Sequence, residues 1–361
     1  MWDKRPDTIV HERSPFNAEP APSALCGHQI TPVDTFYSRN HGPIPDIATG
    51  DWQLTIDGPA TTPQALSFAD LTTGFGTHEV IATLQCAGNR RTGFNRVHDI
   101  PGEDPWGPGA TSTAQWRGAR LRDVLRATGV PDDPSLHVAF GAPDVSDLAT
   151  PTQPYGGSIP LPKAMSEEVL LAWDMNGAPL PRVHGGPVRV VVPGYIGARS
   201  VKWITAITVQ SAPSENFFQA SAYRILPADA DPESARPGDG ISLSSVALNC
   251  DVLAPQDGAT VPAGPVTLRG YAFAGDDRTV ERVEVSRDGG TTWAPADLQP
   301  ASSRWSWRFW SFSLRAAPGP LRVTVRAWDS TGSTQPETAA ALWNPKGYAN
   351  NSWATARYDV T

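Results

Sequence analysis

Hydrophobic and polar positions divide the chain into two unlike parts. Ahead of residue 227 the signals are mixed. Residues 52–58 alternate and end in a turn, which predicts a strand, and residues 67–71 predict a short helix. An apolar run over 80–84 predicts a strand that stops at Gln85-Cys86. Residues 119–127 carry helical periodicity and close at Gly129-Val130-Pro131. An apolar strand over 168–175 runs into Asn176-Gly177, a strong hairpin signal, and residues 188–192 predict a second buried strand. Residues 1–35 are rich in Pro and Ala without periodicity, so they are expected to wrap a surface or stay partly disordered. Residues 227–240 read as a linker. Beyond it, residues 265–273, 280–286, 305–310 and 321–328 alternate with period two around Asp288-Gly289-Gly290, the pattern of a β-sandwich. The expected fold class is α+β: a mixed α/β domain over 1–240, then an all-β sandwich over 241–361.

Length and charge narrow the function classes. A chain of 361 residues is long enough for two sizeable cores. The net charge of −8 argues against a nucleic-acid partner and a polybasic membrane anchor, so an anionic substrate would need a local basic pocket. No apolar run approaches a membrane span. Three cysteines, Cys26, Cys86 and Cys250, are too few for a disulfide framework and suggest a reducing compartment. The N-terminus has neither an h-region nor a twin-arginine signal, so the expected location is cytoplasmic, or periplasmic if a leader has been removed.

Candidate chemistry centres on Leu84-Gln85-Cys86-Ala87-Gly88-Asn89-Arg90-Arg91. A thiol beside fixed positive charge should ionise readily, a thiolate is a soft metal ligand, and arginine grips oxyanions in a bidentate fork. The plainer reading is a small buried Cys with arginines in surface ion pairs. Two other stretches add weight. Prolines keep residues 32–45 extended, so Arg39 and His41 point the same way. In residues 184–204 a buried strand is flanked by His184 and by a Gly-rich turn with Arg199 and Lys202, a combination suited to an anionic, polar group.

Together these motifs resemble the sulfite oxidase family of molybdenum enzymes, with its plant-type haem-free members as the nearest kind. The resemblance runs from about Pro15 to the C-terminus, where Trp343-Asn344-Pro345-Lys346-Gly347-Tyr348 matches the last motif. It implies a molybdopterin-binding domain followed by an immunoglobulin-like dimerisation sandwich, and a molybdenum–molybdopterin cofactor without haem. Cys86 would be the single protein ligand to the metal. Tyr37, Asn40, His41, Arg90, Asp147, His184, Arg189, Ser200, Val201 and Lys202 would hold the pterin and its phosphate. Arg39, Arg91, Trp106, Tyr223 and Lys346 would serve the substrate, with Arg224 as a further charge. Asp144 lies nearby, but Asp147 has the family's spacing of eight residues before Tyr155. Lys346 stands where many animal members have Arg, which keeps the charge and loses the fork.

The implied activity is oxidation of sulfite to sulfate, with electrons passed to an external acceptor, a cytochrome or oxygen. A homodimer is expected, since the sandwich carries seven of the 13 tryptophans. One alternative is a related oxyanion reaction on the same scaffold, such as nitrate reduction. Residues Thr92-Gly93-Phe94 and the lack of reductase domains weigh against it. The other is a cofactor-free binding protein with an immunoglobulin-like module.

Overall fold

The computed structural model describes residues 2–58 and 63–361. The first part builds two sheets. One runs in the order Gln64–Ser67, Gln53–Asp57, Ala206–Gln210, His137–Ser146, Gln153–Pro160. Ala206–Gln210 is parallel to Gln53–Asp57 and antiparallel to His137–Ser146. The other runs Ala178–Pro179, Leu170–Met175, Thr111–Arg120, Thr77–Gln85, with Arg189–Val191 also paired to Leu170–Met175.

Local chemistry sets several boundaries. Helix Phe68–Gly74 begins at a capping box: the Asp70 N–H donates to Ser67 Oγ at 3.1 Å, and the Ser67 N–H donates to Asp70 Oδ2 at 2.9 Å. Asn176 and Gly177 take φ of 55° and 79°, the left-handed pair that a two-residue hairpin turn requires. Residues predicted as a linker, 227–240, are mostly exposed turns. The next short strand, Ile241–Ser242, pairs back with Arg224–Ile225, ahead of the first sandwich strand, Asn249–Ala254.

The C-terminal part is a sandwich. One sheet orders Asn249–Ala254, Gly264–Phe273, Arg308–Ala316, Asp297–Leu298. The facing sheet orders Thr260–Val261, Ala354–Val360, Gly319–Asp329, Val280–Ser286, Ala294–Pro295. Leu268, Val283, Trp310, Val323, Val325 and Tyr358 fill the space between them.

The two parts share a core. Ile56, Val138, Phe140, Val190 and Val192 belong to one buried cluster with Leu243, Val246, Tyr271, Phe273 and Trp307. The expected strand over 305–310 therefore starts late, at Arg308. Trp305 and Trp307 serve the seam instead. The Thr83 N–H donates to the Trp305 carbonyl at 2.9 Å, the Trp307 N–H donates to Thr83 Oγ1 at 2.8 Å, and Trp307 Nε1 donates to the Gln29 carbonyl at 3.1 Å. The N-terminal segment wraps the first part through paired strands Ile9–Arg13 and Phe16–Glu19. Glu19 accepts from the N–H groups of Gly107 and Gly109 at 2.6 and 2.9 Å, which ties this segment to the loop after Cys86. Among the described residues no helix is long and apolar enough to cross a membrane.

Candidate active site

Strand Thr77–Gln85 ends by delivering Cys86 to the wall of a cavity. A tight turn holds the thiol in place. The Cys86 N–H donates to the Ala110 carbonyl at 2.9 Å, the Asn89 N–H donates to the Cys86 carbonyl at 3.0 Å, and the Gly88 N–H donates to Sγ at 3.4 Å. Burial pushes the Cys86 thiol up, while Arg39 and Arg91 pull it down. The readily ionised thiol expected from the sequence is thus corrected, because desolvation outweighs the two cations. A bound metal ion supplies what the protein charges do not, since coordination deprotonates a thiol outright.

Opposite Cys86 the cavity is lined by an extended segment carrying Tyr37, Ser38, Arg39, Asn40 and His41, and by His184, Arg189, Ser200, Lys202 and Tyr223. The buried cations here bond to carbonyls and an amide rather than to carboxylates. Lys202 Nζ donates to the Arg39 carbonyl at 3.0 Å and to Asn40 Oδ1. Arg189 donates to the carbonyls of His184 and Ser200, each at 2.8 Å, and burial brings its guanidinium down to about 10. Burial, with Arg189 as the next cause, holds the Lys202 ammonium well below its usual range. Two buried oxygens facing the cavity, Ser38 Oγ and Asp144 Oδ1, have no hydrogen-bond partner. Burial raises the Asp144 carboxyl to about 7, with Lys202 acting against it.

His41 and Tyr223 form a neutral pair. Nε2 of His41 lies 2.6 Å from the Tyr223 hydroxyl, and the imidazole is packed on Tyr155 and Phe218, each with its centroid 4.6 Å away. Burial, then Arg39 and Lys202, holds His41 well below its usual range, and burial raises the Tyr223 phenol.

Seven of the sequence-predicted residues fall elsewhere. Asp147 lies exposed just past strand His137–Ser146, while alternation turns Ala142, Asp144 and Ser146 inward, so Asp144 is the acid at the cavity. Arg90 points away into the sandwich, with Nε 2.6 Å from Asp251 Oδ2 and Nη1 donating to Asn249 Oδ1 and the Ser352 carbonyl at 3.0 and 2.8 Å. It is a seam residue. Val201 packs in the core, and its carbonyl accepts from the Val190 N–H at 2.8 Å. Trp106 is fully buried and meets His11 edge-on at 4.6 Å, so it is packing rather than pocket wall. Arg91 sits outside the cavity lining, beneath Tyr348, and pairs with Glu103 at 3.1 Å. Lys346 lines a separate open cleft that Glu103 shares. Arg224 is also engaged elsewhere, donating to the carbonyls of Gly238 and Gly240 at 2.6 and 2.7 Å.

Sequence reasoning missed Lys4. Its Nζ donates to the carbonyls of Val33 and Phe36 at 2.7 Å and lies 2.9 Å from His184 Nε2. Nothing in an aperiodic N-terminal stretch signals this contact. The alternation of residues 142–146 could have selected Asp144.

Among the described residues, no group of three or more His, Cys, Asp or Glu could hold a metal ion. A metal here would take one protein ligand, Cys86, and the rest from a non-protein group. Molybdopterin fits that demand: its dithiolene would supply sulfur ligands, and its phosphate would suit the cations Lys202 and Arg189. Its polar ring suits the unpartnered oxygens of Ser38 and Asp144.

Comparison with known proteins agrees. Residues 41–218 match the oxidoreductase molybdopterin binding domain, and residues 242–360 match the Mo-co oxidoreductase dimerisation domain. Together they define a molybdopterin-dependent oxidoreductase, an enzyme with an α+β cofactor domain and a β-rich partner domain. The chain is 40% identical to chicken sulfite oxidase over 359 residues, covering 97% of this chain and 77% of that protein. It is 36% identical to Arabidopsis thaliana sulfite oxidase over 370 residues, covering 97% and 93%. It is 38% identical to a barley nitrate reductase over 385 residues, covering 99% of this chain but only 43% of that protein. Mitochondrial sulfite oxidases are spanned over less of their length, 65% for the human protein. Among solved structures, the sulfane dehydrogenase SoxCD from Paracoccus pantotrophus superposes with a TM-score of 0.80 at 25% identity, over 96% of this chain and 85% of that one. The chain belongs to the sulfite oxidase family.

Proposed function

We propose that the cavity between Cys86, Arg39 and Tyr223 is where this oxidoreductase carries out the molybdenum-dependent oxidation of sulfite to sulfate. One observation supports this above the others: a single thiol faces a buried cavity whose cations, Arg39, Arg189 and Lys202, bond only to neutral groups. Such a cavity calls for an anionic organic group and a soft metal. When bound, the molybdenum–molybdopterin supplies the two-electron redox chemistry.

The chain's own residues bind and orient. Cys86 would fix the metal. Lys202, Arg189 and Asn40 would hold the anionic part of the cofactor, and Asp144 and Ser38 would meet its polar part. Arg39 binds the sulfite oxyanion, and Arg91 adds charge from the next layer. Tyr223, held by His41, offers its hydroxyl at the reacting end while remaining protonated. In net terms sulfite gains one oxygen from water and gives up two electrons and two protons.

Electrons then leave to an external acceptor, a cytochrome or oxygen, and the reading includes no haem within these residues. The dimerisation domain is read as joining two copies. Location in the cytoplasm is part of the same proposal, on the ground of three unpaired thiols, Cys26, Cys86 and Cys250. The test is molybdenum and pterin analysis of the purified protein with turnover on sulfite and on nitrate. Stoichiometric molybdenum with sulfite turnover is the expected result. Nitrate turnover in its place would move the enzyme to the related oxyanion reaction, and a protein without molybdenum from a pterin-competent host would overturn the reading.

A further inference from the structure

The strongest unused feature is the carboxylate on Arg91. Its side chain is 2% exposed and walled in on both sides. A side-chain carbon at Gly88 would come within 2.7 Å of Nη2, and one at Gly347 within 2.7 Å of Nε and Cγ. The Tyr348 ring covers it at 5.3 Å. Within this slot Nη1 donates to the Asp104 carbonyl at 2.7 Å, Nη2 pairs with Glu103 Oε2 at 3.1 Å, and Nε has no partner. Nε and Nη2 form one edge of the guanidinium, the edge that takes a carboxylate or other oxyanion in two parallel bonds. Glu103 uses half of that edge.

Glu103 differs from the other neighbours of Arg91. Gly88, Gly347 and Tyr348 belong to packed loops, whereas the Glu103 side chain is 20% exposed and stands at the wall of the open cleft that it shares with Lys346. Its charge also acts on Arg39, Tyr223 and Tyr348, so it lies within the field of the site.

We propose that Glu103 is an internal counter-anion that neutralises Arg91 one layer behind the cavity and so sets the affinity for sulfite and sulfate. An oxyanion in the cavity meets the charge of Arg91 less that of the carboxylate held on it at 3.1 Å. The arrangement weakens binding of the sulfate product along with that of the substrate, which favours release. This inference rests on the reading of the cavity as the sulfite site.

The test uses the holoenzyme. Glu103→Gln keeps the shape and removes the charge. The expected result is a Michaelis constant for sulfite lower by roughly three- to tenfold, with the inhibition constant for sulfate falling in parallel and kcat changing less. Glu103→Asp, which keeps the charge, should stay near wild type. A Michaelis constant that is unchanged or raised in Glu103→Gln would overturn the proposal. Sulfate titration by calorimetry separates this failure from failure of the functional reading. Tighter sulfate binding by Glu103→Gln in a protein that turns over no sulfite would leave the neutralising role intact and remove the substrate assignment. Equal sulfate binding by the two proteins would remove that role itself.

Discussion

Nε2 of His41 and the hydroxyl of Tyr223 share one hydrogen bond of 2.6 Å between two uncharged groups, and the same phenol ring stacks on Tyr348 at 5.4 Å. The stacking can survive loss of the hydroxyl, but the hydrogen bond cannot. Tyr223→Phe should therefore keep its metal and pterin while kcat/KM for sulfite falls roughly ten- to a hundredfold, the range expected for losing a hydrogen bond at a buried site. Steady-state rates normalised to molybdenum content check this. Rates equal to wild type would remove Tyr223 from the chemistry.

Cys86→Ser replaces the one soft ligand with a hard, poorly ionised hydroxyl. Sulfite oxidation should be lost while pterin content stays near wild type, because Lys202, Arg189 and Asn40, which would hold the organic part, are kept in place by bonds that do not involve Cys86. Pterin fluorescence after denaturation, measured beside molybdenum content, separates the two effects. Pterin lost together with the metal would mean that the thiol anchors the whole group.

Motif chemistry carried the reading of the cofactor side and failed where side-chain direction decides. Cys86, Arg39, His41, His184, Arg189 and Lys202 line the cavity as expected, since extended or Gly-rich backbone next to their motifs leaves little choice of direction. The resemblance gives Arg90 and Arg91 different roles, and their side chains do go to different places. Yet Arg90 takes a φ of 66° at the start of a short helix and turns into the sandwich, a tertiary outcome that its motif does not encode. Asp147 was preferred to Asp144 on spacing, and strand alternation overrules spacing. Trp106 and Trp307 are single large plugs whose place depends on which domain closes over them. The even alternation of the sandwich made its fold legible, but not the use of Trp305 and Trp307 at the seam.

The new role of Arg90 changes what its removal should do. Arg90→Gln leaves the partly buried Asp251 without its 2.6 Å partner and frees Asn249 and the Ser352 carbonyl. Breaking one side of a buried pair costs about 3 kcal/mol. The cost should show in the denaturation midpoint, with little change in the Michaelis constant for sulfite. Arg91→Gln should show the reverse, a Michaelis constant raised roughly tenfold with a smaller stability loss. Chemical denaturation and steady-state kinetics on the two variants check this crossed pattern. A raised Michaelis constant in Arg90→Gln without destabilisation would return Arg90 to the site.

Lys4 links the N-terminal segment to the cavity and should make stability pH-dependent. Burial brings its ammonium down from 10.5 to about 7, with Asp34 acting against the shift. The unfolded chain holds this proton up to about pH 10.5, and the folded chain releases it near pH 7. Between those values the unfolded state binds more protons, so this group makes stability rise with pH. Below about pH 7 both states are charged, and the folded state bears the full cost of the buried ammonium. Lys4→Met removes the proton and also the donors to Val33 and Phe36. The wild type should therefore gain stability over the variant as pH rises from 7 towards 10, while near pH 6 the gap should be smallest. Thermal denaturation of both proteins across that range checks it. Parallel curves for wild type and Lys4→Met would show that Lys4 does not titrate as a buried group. The same series followed by pterin release should show faster loss from Lys4→Met at every pH, since Lys4 Nζ lies 2.9 Å from Nε2 of His184 on the cavity wall.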